Sequence, residues 1–319
     1  MKEILDYQKL IEEGFDIIDK RGNRVPFILN VPQRMYMAQL KKDYPTMEPI
    51  RDNILKARKE GFSSLIDAII AVDFLIKDNI GAQIISHKDN ETKVLFERVR
   101  FFIDSWCERA GVDKKALLDT DSANTIKNRD NGSFIYLGTA GAKTLGRGPT
   151  LQNIHWSEVG FYPSTEIMNA EKLVVGAEQQ VATDVGKIFR ESTGNMWGDF
   201  YFKECERSRK EESTFKFRFF SWFDDPQNKK EVEVFDPTPE EREWMEIYKL
   251  DKTQMYWYRE KLRESESKAL TMREYPFTPE EAFLAAGKGF FDPDVLKDYR
   301  DKVKPPIKEG NMAMDGNWV

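Results

Sequence analysis

Two cysteines and two histidines in 319 residues exclude several kinds of chemistry at once. Cys107 and Cys205 stand alone, without a CxxC spacing, so neither a disulfide framework nor a zinc site is supported, and two free thiols in a reducing compartment are expected. His87 and His155 lie near no nucleophile motif, which speaks against a small-molecule enzyme built on a Ser–His or Cys–His pair. Both are expected to be structural, at strand ends with their ring nitrogens satisfied. No apolar run is long enough to cross a bilayer: "LIDAIIAVDFLI" is short and is interrupted by Asp67 and Asp73. The N-terminal "MKEILDYQKLIEEGFD" is acidic and lacks the apolar stretch of a signal peptide, so a cytoplasmic location is expected. A net charge of -6 argues against a protein that coats nucleic acid over its whole surface, while leaving room for a local basic stripe.

What is present is a globular composition. Hydrophobic residues at 40% against charged residues at 33% place the chain outside the disordered class, and its length allows one large domain or two modest ones. Residues 1 to 48 read as a lead-in, with a polar helix, a turn at "DKRGNR", and a helix starting near Pro32. A short apolar element around Ile54 and Leu55 precedes a loop and then a helix from Ser64 that is apolar on nearly every side and therefore buried. Strand-like runs follow at 82 to 86, 133 to 139, 151 to 159 and 186 to 193, separated by helices over about 90 to 102 and near 166 to 177. That alternation predicts an α/β fold with a mainly parallel sheet covered on both faces. Beyond 200 the texture changes. Phe215, Phe217 and Phe219 alternate as in a half-buried strand, and "TPEE" at Thr238 and Thr278 opens two helices with capping boxes. "KVKPPIKEGN" (302 to 311) has linker composition.

The chemistry begins at "KARKEGFSSL", residues 56 to 65. Glycine, hydroxyl residues and a hydrophobic helix are how a phosphate-binding loop ends, because backbone N–H groups at a helix N-terminus face an anion. Gly61 and Ser63 match G-x-x-x-x-G-K-[ST], whereas Phe62 stands at the lysine position. Lys56, on the loop's other lip, can reach phosphates from there; read alone, the loop leaves a broken site, a relocated lysine and an accident all open. Roughly a hundred residues on, Glu158 follows a short apolar strand, where a carboxylate can orient and deprotonate an attacking water. Ser157 stands where an aspartate normally helps to hold magnesium. "TAGAKTLGRGPTLQ" is a glycine-rich loop carrying Arg147, suited to a mobile charge-stabilising finger. "FRESTGNMWGDFYF" places Ser192, Thr193, Gly194 and Asn195 after a strand.

Five segments, "LKARKEGFSSL", "GRGPTLQNIHWSEVGFYP", "ESTGNMWGDFY", "FFSWFDDP" and "EYPFTPEEAFLAAGKGFF", resemble in order and spacing the large terminase subunits of tailed bacteriophages, from about residue 14 to 300. The resemblance implies a three-layer RecA-like ASCE P-loop ATPase over 1–200, a smaller lid or linker subdomain over 201–301, and a linker over 302–319 toward an absent nuclease domain. It implies ATP and Mg2+ as cofactors and a motor that drives double-stranded DNA into a procapsid in the host cytoplasm. The implied partners are the portal protein, the small terminase subunit and further copies in a ring, a pentamer in the family. Many family members carry the loop lysine early, which makes Lys56 that lysine and Phe62 a permitted residue. Carried over by position, Gln33 in "FILNVPQ" reads the adenine; Lys56, Arg58, Gly61, Ser63 and Ser64 bind the nucleotide, with Ser63 on the metal. Glu158 is the catalytic carboxylate, also near the metal; Arg147 is a finger acting on a neighbouring subunit's nucleotide; Ser192 and Thr193 form the coupling motif. Ser157 departs from the family's commoner aspartate and puts the support of the metal in doubt. With no acidic cluster left for two-metal chemistry, no nuclease activity is expected. Two rivals remain: a helicase-like ATPase, for which no DEAD-type box or second motor domain is present, and a silent nucleotide-binding scaffold, against which Glu158 speaks.

Overall fold

The computed structural model describes residues 5–139, 150–163 and 169–284. The chain enters through α1 (Tyr7–Gly14) and a small antiparallel pair, β1 (Asp16–Ile18) and β2 (Arg24–Pro26). It then runs α2 (Val31–Asp43), β3 (Ile50–Lys56), α3 (Phe62–Ile76), β4 (Gly81–Ser86), α4 (Asp89–Ala110), α5 (Lys114–Leu117), β5 (Leu118–Ser122), β6 (Thr125–Asn128) and β7 (Phe134–Thr139). After β8 (Asn153–Ser157) come α6 (Ala170–Glu178), β9 (Lys187–Ser192), α7 (Phe200–Arg209) and β10 (Lys216–Phe220). Four helices close the described chain: α8 (Pro239–Tyr248), α9 (Lys252–Glu264), α10 (Lys268–Glu274) and α11 (Pro279–Leu284).

Among the described residues one eight-stranded sheet has the order β10-β3-β9-β8-β4-β7-β6-β5. Strands from β10 to β7 are parallel, and β6 and β5 finish one edge antiparallel. Helices cover both faces. Tyr36, Leu65, Ile69, Phe96 and Phe102 of α2, α3 and α4 pack on one side, and Val174, Tyr201 and Cys205 of α6 and α7 pack on the other against Trp156 and Ile188. This is the expected three-layer α/β arrangement. Cys107 and Cys205 are both buried free thiols. No described helix is long and apolar enough to cross a membrane. The two acids that interrupt the apolar run of α3 are hubs of buried polar networks. Asp73 takes the Tyr7 hydroxyl, the Asn153 amide and the Lys187 ammonium; Asp67 takes His155 and Arg98. An ionic group in the interior is retained only with such partners.

The structure differs from the sequence reading in three places. The core does not stop near residue 200: β10 pairs with β3 in parallel register, Phe220 opposite Lys56, so the sheet runs on to residue 220. The period-two phenylalanines do not mark the deeper face of that strand. Phe217 and Phe219 are half-buried, while Arg218 and Phe220 are buried on the other side, Arg218 held by Asp52 and Asp43. The apparent repeat of capping boxes is incomplete. Thr238 and Glu241 exchange both bonds, whereas Glu281 reaches the Phe277 N–H instead of that of Thr278. Beyond residue 220, Trp222, Tyr258 and Phe277 centre a separate aromatic cluster with α8 and α9.

Helix α11 returns to the sheet at Gly194, just after β9. A Cβ at that position would sit 2.0 Å from the Ala282 carbonyl oxygen, a contact no side chain can make. Gly194→Ala must therefore push α11 away, and overpacking of this kind costs about 1–3 kcal/mol. The loss should be visible as a lower denaturation midpoint; an unchanged midpoint would mean that α11 yields without cost.

Candidate active site

The site lies where β3, β8 and β9 end, beside the N-terminus of α3. In a parallel sheet the carboxyl ends of neighbouring strands lie on one edge, so side chains far apart in sequence converge there. Lys56 is the last residue of β3, Ser157 the last of β8 with Glu158 just beyond, and Glu191 and Ser192 the last of β9.

The loop from Ala57 to Gly61 turns the chain into α3. Gly61 adopts φ +79°, a left-handed conformation that favours glycine, and it offers no side-chain cap to the helix. The first-turn N–H groups of Phe62, Ser63 and half-buried Ser64 are thus left to an outside acceptor, the usual setting for an anion. Phe62 explains its own presence. Its ring is buried below the loop, 4.5 Å from Phe220 and 5.7 Å from Tyr36, where an ammonium would be stranded.

The loop is tied to the start of α2. Gln33 Nε2 donates to the Gly61 carbonyl at 2.8 Å, Asn30 Nδ2 donates to the Glu60 carbonyl at 3.0 Å, and Gln33 Oε1 accepts from the Asn30 N–H at 2.9 Å. A Cβ on Gly61 would stand 2.7 Å from Gln33 Nε2. Gln33 thus reaches the loop backbone, with its amide engaged at both ends. Arg58 goes elsewhere: its guanidinium is 3.2 Å from Glu274 and more than half exposed, and its N–H donates to the Glu274 carbonyl. It ties the loop to α10, and Lys56 alone of the two sequence-predicted cations faces the glutamates.

Lys56 is buried, with Nζ 3.0 Å from Glu158 Oε1 and 3.1 Å from Glu191 Oε2. Burial alone would lower its pKa; the two carboxylates outweigh burial and raise it, so the side chain is an ammonium. Glu158 sits in the left-handed region at φ 54°, a conformation costly for a residue with a Cβ and common at functional positions. This turn aims its carboxylate back over the strand ends. Oε2 accepts from Ser192 Oγ at 3.2 Å and from the Thr193 N–H at 3.3 Å, so the two residues expected to form a coupling motif do touch it.

Glu191, which sequence reasoning did not single out, is the hub. It is wholly buried, and Oε1 accepts from Ser63 Oγ and Ser157 Oγ, both at 2.7 Å. His155 Nε2 lies 3.4 Å from the same oxygen, while Nδ1 is 2.8 Å from Asp67. Burial would raise the pKa of Glu191, yet Lys56, His155 and the Ser63 hydroxyl bring it well below the usual range, and it is ionised. For His155, burial lowers the pKa, but Asp67 and Glu191 together push it up to about 9. His155 is therefore structural, as expected, with both ring nitrogens engaged. No local pattern marks Glu191 in "KIFRES"; its meaning comes from the strands beside it. Glu60 was likewise not legible. Its carboxyl is buried in the loop without a hydrogen-bond partner among the described residues, and burial, with Asp224 and Asp225 nearby, pushes its pKa well up. Arg147 lies outside the described residues, as does the linker at 302–319.

No protein-family model and no curated protein sequence matches the chain. Solved structures do. The large terminase of bacteriophage HK97 aligns with a TM-score of 0.59 at 12% identity, over 87% of this chain and 55% of its own. The ATPase domain of the Thermus phage P74-26 large terminase aligns over 70% of this chain and 86% of its own, at 15% identity and a TM-score of 0.45. The large terminase of the thermophilic bacteriophage D6E aligns over 71% of this chain and 52% of its own, at 13% identity and a TM-score of 0.47. The likeness to the HK97 protein is one of fold, and the chain spans 55% of that protein's length.

Proposed function

We propose that this chain, which has the fold of a phage large terminase, is the ATP-hydrolysing part of a DNA-packaging motor. The observation that carries the reading is the meeting of Lys56, Ser63 and Glu158 at one strand edge beside an uncapped helix N-terminus. A cation, a hydroxyl, backbone donors and a strand-end carboxylate are the parts that phosphoryl transfer from a nucleoside triphosphate requires. Ser63 fits Mg2+: its proton is committed to Glu191, which turns its oxygen lone pairs outward. Bound there with ATP, magnesium would neutralise charge on the phosphate oxygens.

The residues divide the work as follows. Triphosphate entering the loop competes with Glu158 and Glu191 for the Lys56 ammonium. As Lys56 turns to the phosphates, Glu158 Oε1 loses its cation and becomes free to accept a proton from the attacking water. The water oxygen bonds to the terminal phosphorus, the bond to the bridging oxygen breaks, and the departing diphosphate keeps that electron pair, steadied by Lys56 and the loop N–H groups. Ser192 and Thr193, bonded to Glu158, report that change to β9 and, through Gly194, to α11. We assign Arg147 the role of a finger acting on a neighbouring copy's nucleotide. Double-stranded DNA, a portal and further copies of the chain are the partners this reading requires.

Turnover of ATP by the purified chain, with and without double-stranded DNA, tests the proposal. Stimulation by DNA supports a motor. Turnover indifferent to DNA would leave a generic ATPase, and binding without turnover a scaffold. Gln33 supplies a narrower test. With its amide committed to Gly61 and Asn30, Gln33→Ala should weaken ATP and GTP by the same factor, because the whole loop loosens. Loss confined to ATP would instead identify Gln33 as the reader of the adenine.

A further inference from the structure

Ser157 and Glu191 are direct partners across the parallel pair β8 and β9, Ser157 the last residue of its strand and Glu191 the last but one of its own. Where the family more commonly has an aspartate, residue 157 is a serine, whose hydroxyl brings no negative charge toward a cation. One strand over, at the same level, stands a wholly buried glutamate that takes both the Ser63 and the Ser157 hydroxyl. From this we infer that Glu191 is the positioning residue for Mg2+ in this protein: the carboxylate that magnesium requires has crossed from β8 to β9, and Ser157 now supports it. The inference rests on the ATPase reading above and concerns how its metal is held.

Four observations carry it. Ser63 Oγ donates to Glu191 Oε1 at 2.7 Å, which orients the hydroxyl that would meet the metal. Ser157 Oγ donates to the same oxygen at 2.7 Å, so the serine serves the carboxylate. Oε2 is fully buried and among the described residues faces only the Lys56 ammonium, at 3.1 Å, so when Lys56 turns to the phosphates that oxygen is left needing another donor. A water in the shell of a hydrated magnesium ion is the kind of donor that such an oxygen lacks, since this ion keeps several waters and binds through few protein groups. Lastly, the carboxylate is locked. His155 bridges Glu191 to Asp67, and Arg98 of α4 lies 3.1 Å from Asp67, so rotation of Glu191 would break a buried chain of charges. The bland alternative is that Glu191 merely neutralises Lys56 and His155 in the interior. That role needs a negative charge but neither the bond to Ser63 nor the one to Ser157.

The two readings part in two variants, Glu191→Gln and the strand exchange Ser157→Asp/Glu191→Ser. The readout is the ratio of the Kd of a slowly hydrolysed ATP analogue in EDTA to its Kd in Mg2+, taken by calorimetry, with the Mn2+ spectrum of the analogue complex alongside. In Glu191→Gln the tightening by Mg2+ should shrink at least tenfold. In the strand exchange it should return to within about threefold of the unaltered chain, because an aspartate on β8 reaches Ser63 from the neighbouring register position. A Glu191→Gln protein that keeps its full Mg2+ response would overturn the inference. So would an exchanged protein that fails to recover the response, or fails to fold, since the inference makes the two strands interchangeable bearers of the carboxylate. Failure of the ATPase reading would show differently, as an unaltered chain that binds no nucleotide with or without Mg2+.

Discussion

Glu158→Ala is expected to bind ATP at least as tightly as the unaltered chain and to hydrolyse it about two to four orders of magnitude more slowly, the usual effect of losing a general base. Both halves of that expectation come from one geometry. Glu158 Oε1 holds the Lys56 ammonium at 3.0 Å, in competition with any phosphate. Removing it lowers the cost of turning Lys56 toward the nucleotide, so affinity holds or rises, while no group remains to take the proton from water. Glu158→Gln isolates the proton transfer, since the amide oxygen can still accept from Ser192 and the Thr193 N–H. Single-turnover kinetics and calorimetry on both variants provide the measurement. Either variant keeping more than half of the original turnover would remove Glu158 from the catalytic role.

Lys56→Ala should fail in two ways at once. A hydrogen bond to a charged group contributes about 1.5–3 kcal/mol, so loss of the ammonium should weaken ATP binding roughly 10- to 100-fold. It also leaves Glu158 and fully buried Glu191 facing each other without their cation. Breaking a buried ion pair by removing one partner costs about 3–5 kcal/mol, so the melting temperature should fall as well. The two effects can be separated. In Glu191→Gln/Lys56→Met the uncompensated charge at 191 is gone and the volume at 56 is kept, so stability should recover substantially while binding of ATP does not. If Lys56→Ala melts early yet binds ATP with unchanged affinity, the lysine is a structural tie and the relocated-lysine reading fails.

The same residues show where reading the sequence reached its end. Short apolar runs separated by helices, a glycine before two hydroxyls, and an acid after an apolar strand are local patterns, and they were enough to predict a parallel α/β sheet with a phosphate-type loop. Read alone they left the lysine open, and it was the resemblance that chose Lys56; the structure then brings Lys56, Ser63 and Glu158 to one edge, because in such a sheet strand ends lie together. Local pattern could not say where Gln33 points. Its amide is committed by the loop it packs against, 28 residues away. Nor could it rank Arg58 below Lys56, since only α10, supplying Glu274, draws the arginine outward.

What the sequence alone determined, then, is the parallel strands and the chemical types at their ends, though not the antiparallel pieces β1, β2, β5 and β6: backbone periodicity and turn chemistry act over a few residues and need no partner. What only the tertiary structure decided is which strands are neighbours and in what register. Phe220 lies beside Lys56 because β10 joined the edge of β3 instead of leaving for a second subdomain. Glu191 reads as an ordinary strand glutamate until β9 lies against β8 with Ser157 opposite, 34 residues away. Strand order and register are settled by the burial of both sheet faces over the whole chain, and a carboxylate that changes strands leaves no mark within the span of a motif.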